Sequence, residues 1–338
     1  MAKTFKSLLG DDVVNTRTLL HEAIPITGTI SSGTYSDNNI KTFSHGMFQS
    51  VYDYPYLSSS ANQIFDVTFG LSSNASSSLN TQTAKKLNIY NQMAQVLMGY
   101  DVSGSIRKFD SDGTLDDGAG TMNHCFFVNF SRLLVKDEIK KNTFRMALYT
   151  TGSCETRGHS AVATSNHTAL LTLGDYDSAN EFRTSPAGDY GLIFSASGDS
   201  TNNSLACGLI FYQAGIAVIT SSLFVNSAVG AIAGGNYTLD GAGKSAHGGT
   251  GEFGNPGVST GDAGTDLRTN PAAAGSHKYY NMKRAQVTGT IDLLADGFRN
   301  RLHNIDFNNT IELNSTVYFC RVNHNEFNYS SSPTYVTG

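Results

Sequence analysis

Apolar positions recur at helical spacing in two stretches. Ile291, Leu294, Phe298 and Leu302 form one stripe, which predicts a helix over 290–303. Asp292 and Asp296 stand early in it and Arg299, Arg301 and His303 late, the order that suits a helix dipole. Leu87, Tyr90, Ala94 and Leu97 form the second stripe, with Lys85, Lys86 and Gln92 off it. They predict a helix over 83–98 that Gly99 stops. Elsewhere the apolar residues come in short β-branched and aromatic runs. These predict strands at 126–135, 144–149, 191–195, 208–213 and 315–322. The charged segment 136–142 reads as a hairpin-like link between the first two. Gly191-Leu192-Ile193-Phe194 is echoed by Gly208-Leu209-Ile210-Phe211 around a polar turn, which reads as a hairpin that Ala217–Thr220 extends. Thr16–Ala23 reads as a short helical turn ahead of Pro25, and Ile24–Ile30 as a strand.

The pattern predicts a β-rich α+β fold: antiparallel sheets or a sandwich, two main helices and a long Gly-rich loop. Four regions follow from it. Residues 1–43 form an N-terminal arm and 44–233 a β-rich core with the helix near 83–98. Residues 234–276 are a Gly-rich insertion, and 277–338 a helix–strand element with an aromatic tail.

Composition narrows the function. Only 15% of residues are charged, below the usual quarter, while apolar content is ordinary, so disorder is excluded. The net charge is −5 without a long basic run, which gives no support to direct nucleic-acid binding. No run approaches the ~20 apolar residues of a membrane span, so no membrane insertion is expected. The N-terminal residues lack the apolar core of a signal peptide, and synthesis in a reducing cytoplasm is expected. Cys125, Cys154, Cys207 and Cys320 are too far apart for zinc spacing. The apolar runs around Cys125, Cys207 and Cys320 predict buried free thiols.

Candidate chemistry is thin. Asp110, Asp112, Asp116 and Asp117 form the densest acid cluster. Thr114 and the lack of a late Glu break the calcium-loop pattern, so a solvated turn without metal is expected. Glu155, Arg157, His159, Ser160 and His167 contain the types of a hydrolytic triad without a nucleophile elbow. Gly241-Ala242-Gly243-Lys244-Ser245 imitates the end of a phosphate loop, but Thr238 stands where its first glycine belongs. Neither an enzyme nor a cofactor is expected. The aromatic residues are the better lead. Tyr52, Tyr54 and Tyr56 cluster around Pro55, and Phe327, Tyr329 and Tyr335 lie in the tail among Asn and Ser. Both sets are expected at interfaces, and the first also suits glycan stacking.

Three segments carry a resemblance. SHGMFQSVYDYPYLSSSANQIFDVTFG (44–70), FFVNFSRLLVKDEIKKNTFRMALYT (126–150) and IDFNNTIELNSTVYFCRVNHNEFNYSSSPTY (305–335) resemble virion structural proteins of contractile-tailed, T4-like marine bacteriophages. The resemblance implies a non-enzymatic structural subunit of the virion, in the tail or baseplate. Its partners would be other virion proteins and copies of itself. The alternatives are a capsid, neck or decoration protein, or a receptor- or glycan-binding surface module.

Overall fold

The structure is a computed structural model. It describes residues 7–24, 37–73, 81–115, 120–149, 170–195, 206–224, 250–252, 255–256 and 290–320. The chain divides into two compact units, Met1–Leu20 with Ile311–Gly338, and His21–Thr310. The strands are β1 (Val13–Ile24), β2 (Ile40–Thr42), β3 (Gln49–Tyr52), β4 (Gln63–Leu71), β5 (His124–Phe130), β6 (Glu138–Ile139), β7 (Arg145–Tyr149), β8 (Leu170–Gly174), β9 (Arg183–Ser185), β10 (Gly188–Phe194), β11 (Ala206–Phe211), β12 (Ile216–Thr220), β13 (Thr250–Glu252), β14 (Asn255–Pro256) and β15 (Leu302–Tyr318). The helices are α1 (Thr81–Leu97), the single turn α2 (Arg132–Val135) and α3 (Ile291–Arg301). The protein is mostly antiparallel β-sheet with two main helices.

In the His21–Thr310 unit the sheet runs β15-β7-β8-β10-β11-β12-β5-β4-β3-β2. The register of β4 on β5 sets two faces. Phe65, Val67 and Phe69 share one with Phe126, Val128 and Phe130; Asp66, Thr68 and Gly70 share the other with Cys125, Phe127 and Asn129. Four strands separate β5 from β7 in the order. Yet the Phe130 ring lies 6.0 Å from Phe144, just ahead of β7, and 5.3 Å from Phe307 of β15. The sheet therefore curls back so that its first face closes on itself. The α3 stripe fills that concave side: Ile291, Leu294, Phe298 and Leu302 are fully buried, and Phe298 stacks on Phe126 at 5.0 Å. Each such side chain contributes roughly 1.5–3 kcal/mol by burial. Arg299, also buried, donates from Nε to Gln49 Oε1 at 3.2 Å, and Gln49 Nε2 donates to the Asp292 carbonyl at 3.3 Å.

The second face is covered by α1 and the segment that follows it. A Cβ on Gly70 would lie 2.9 Å from the Tyr90 backbone nitrogen, so glycine sets how closely α1 approaches β4. Tyr90 Oη donates to the Met122 carbonyl and accepts from the Phe109 amide, which ties that segment to the helix. Phe109 packs edge-on against Tyr90 and against Phe211 of β11. Gly99, at φ +75, ends α1 as expected.

Several expectations are corrected. Thr16–Ala23 is strand, inside β1, because the ladder with β15 fixes it. Residues 126–150 do not form a hairpin: β5 pairs with β4 and β12, and β7 with β8 and β15. Residues 132–135 are the helical turn α2 rather than strand. The closing strand starts at Leu302 and stops at Tyr318. Lys86, placed off the α1 stripe, is buried, and Cys320 is exposed while Cys125 and Cys207 are buried. The hairpin of β10 and β11 forms, Gly191 opposite Ile210, and β12 extends it. The hydrolytic set at 155–167, the phosphate-loop imitation at 241–245 and Cys154 lie outside the described residues.

Candidate interaction surfaces

In the Met1–Leu20 and Ile311–Gly338 unit, β1 pairs with the end of β15. Thr16 Oγ1 meets Ser315 Oγ at 2.6 Å, Thr316 Oγ1 donates to Asn15 Oδ1 at 2.7 Å, and the Phe319 amide donates to the Asp12 carbonyl at 2.7 Å. These contacts fix an antiparallel register with Val14 opposite Val317, Thr18 opposite Leu313 and Leu20 opposite Ile311. Alternation then separates two faces. One holds Arg17 ion-paired with Glu312, beside Asn15, Asn314 and Thr316, with Leu19 and Tyr318 also exposed on it. The other has no charge between Val14 and Leu20; Glu22 is the next charged residue on that alternation. Over that span its only polar members are Thr18 and the mutually bonded Thr16 and Ser315, and Val14, Leu20, Leu313 and Val317 stand 42%, 46%, 50% and 45% exposed.

A two-stranded ribbon is marginal in water without a packed face. Among the described residues, β1 ends the strand order, and β15 beyond Thr310 pairs only with β1. Nothing in the sequence pattern alone gave this. The signal was the register, which joins positions about three hundred residues apart.

The expected aromatic residues fare unequally. Tyr52, at the end of β3, is half-buried with its ring 6.4 Å from that of Tyr56; Tyr54 and Tyr56 are exposed. The turn that presents them is held by Asp53, whose Oδ1 accepts the Tyr54 and Asn62 amides and whose Oδ2 accepts Asn62 Nδ2. Phe327, Tyr329 and Tyr335 lie outside the described residues.

The part of the acid cluster at Asp110 and Asp112 is not a solvated turn. Asp110 and Asp112 are buried; Asp110 Oδ1 accepts the amides of Asp112 and Gly113, and Asp112 Oδ1 that of Thr114 at 2.7 Å. Burial, then the neighbouring Asp112, pushes the Asp110 carboxyl up to about 7. Asp116 and Asp117 lie outside the described residues, among which no group of three or more His, Cys, Asp or Glu could hold a metal ion. Asp175 is another buried carboxylate. Its oxygens accept from Asn142 N, Phe144 N, Arg145 Nη1, Ser178 Oγ and Tyr212 Oη at 2.7–3.0 Å. Burial outweighs these donors and pushes it up to about 6. This network pins the turn before β7 to the turn after β8.

No known family, curated relative or solved structure matches the chain. Among the described residues no helix is long and apolar enough to cross a membrane.

Proposed function

We propose that the chain is a non-enzymatic structural subunit of a bacteriophage virion, in the tail or baseplate, acting through contacts with other virion proteins and with copies of itself. It is made in the host cytoplasm, carries no cofactor and contacts neither nucleic acid nor membrane lipid. The observation that carries the contact reading is the stretch of the β1–β15 ribbon over Val14–Leu20 and Ile311–Val317, where one face has no charge and leaves aliphatic side chains exposed. The particle comes from the resemblance of residues 44–70, 126–150 and 305–335 to virion structural proteins of contractile-tailed phages.

The test places charges on that face. Val14→Asp with Leu313→Asp is expected to leave the melting of the His21–Thr310 unit unchanged and to abolish incorporation into particles in a complementation assay. Wild-type incorporation of the double variant would end the reading. A second reading, a glycan-binding module, has the exposed Tyr54 and Tyr56 in its favour. A glycan array on which the wild type binds and Tyr54→Ala does not would select it instead.

A further inference from the structure

A cavity of about 320 Å³ lies between α1 and strands β4 and β5 of the His21–Thr310 unit. Its apolar walls are Met47, Phe48, Ile89, Met93 and Phe127, and its polar corner is Asp66 beside Asn129, directly opposite each other in the β4–β5 ladder. Thr68 and Gln92 also line it; the Thr68 hydroxyl already donates to the Met47 carbonyl. The volume sits at the small end of ligand sites, about 300–1,000 Å³.

Asp66 is the informative residue. Its Oδ1 accepts from Ser50 Oγ and from Gln63 Nε2, each at 2.6 Å. No donor reaches Oδ2 among the described residues, and no Lys or Arg there lies within ion-pair distance. Lys41, two strands away on the same face, holds its Nζ over the Phe43 ring at 5.1 Å. Burial raises the Asp66 pKa against the two hydrogen bonds, and no cation offsets that cost. The cavity thus joins an uncompensated carboxylate to an apolar chamber.

We propose that this cavity binds a primary ammonium on an unbranched apolar stem, with Asp66 Oδ2 as counter-ion. The stem lies along Met93, Ile89 and Phe127. With Oδ1 occupied, the Asp66 carboxylate has a single open acceptor, which suits a point-charge ammonium rather than a guanidinium fork that needs both carboxylate oxygens. Phe48 and Phe127 supply further aromatic surface for the cation. A free alkylamine and a lysine side chain of a second copy present this same chemistry. The site itself does not depend on the virion reading.

The test uses the full chain, with calorimetry and n-hexylammonium, n-hexanol and n-hexylguanidinium as probes. Hexylammonium is expected to bind the wild type at least about tenfold more tightly than hexanol or hexylguanidinium, and Asp66→Asn to lose that advantage over hexanol. The Asp66→Asn substitution keeps an acceptor oxygen for Ser50 and Gln63 and removes a partly buried charge, so the variant is expected to melt no lower than wild type. Met93→Phe, which narrows the chamber, gives a second variant with the same expected loss. Equal binding of hexylammonium by wild type and Asp66→Asn, or no binding by the wild type at about 10 mM, overturns the proposal. Sedimentation then assigns the source. Self-association that hexylammonium disperses means a lysine from another copy, and an unchanged monomer means a free amine.

Discussion

At the residue scale, the buried ionisable groups make the sharpest predictions. Lys86 is fully buried on α1, with Nζ 5.8 Å from the Phe69 ring centroid, and burial lowers its ammonium to about 7. His124 is pulled down to about 4, first by burial and then by the Lys86 charge. Folding depresses the lysine, so the folded chain binds fewer protons between about 7 and the ordinary 10.5. Stability is therefore expected to rise with pH across that window. Lys86→Met should flatten the rise, as read by melting temperature against pH. Asp110 has the opposite sign. Its raised carboxyl holds a proton in the folded state between the ordinary 3.8 and about 7, so stability falls as pH climbs through that range. Asp110→Asn keeps the acceptor for the Asp112 and Gly113 amides, and is expected to stabilise the chain at pH 8 by on the order of 1 kcal/mol. Neither effect was legible in the sequence. Lys86 flanks the α1 stripe as a solvent-facing lysine would, and Asp110 stands in a segment whose composition says turn.

At the element scale, the two helices and the β10–β11–β12 run were legible because each is specified locally. A stripe and a stop residue define α1, and an echoed apolar run around a polar turn defines the hairpin. Strand β4 was not read. Seven of its residues, Ile64, Phe65 and Val67–Leu71, are buried. A strand covered on both sides loses the alternation that betrays strands. Strand β1 was misread because Leu19 and Leu20 sit among Arg17, His21 and Glu22, a mixture that also suits a helical turn. Only its partner in β15 settles the matter. Gly70 tests the packing of α1 on β4. Gly70→Ala would force a Cβ into the Tyr90 backbone, and a loss of about 2–4 kcal/mol is expected in chemical denaturation. A change below about 0.5 kcal/mol would mean that the helix shifts freely.

At the scale of the whole molecule, the β-rich fold class was readable, while only one of the two candidate surfaces has a local signature in the sequence. Tyr52, Tyr54 and Tyr56 announced themselves by clustering, whereas the aliphatic face of the ribbon is scattered through both ends of the sequence and has no local signature. A chain lacking residues 1–20 and 311–338 is expected to keep the melting temperature of the His21–Thr310 unit within about 4 °C, since the aromatic core named above lies wholly inside that unit. The ribbon also has a mechanical side. Asp12 and Phe319 are joined directly, so tension applied through these two neighbours pulls adjacent antiparallel strands apart from one end. Load drawn that way opens the pairs in succession, Val14–Val317 before Leu20–Ile311, like a zip rather than a sheared joint. In single-molecule stretching from residues 12 and 319, the ribbon should yield first, at low force and with a gradual lengthening, before any cooperative rupture of the aromatic core.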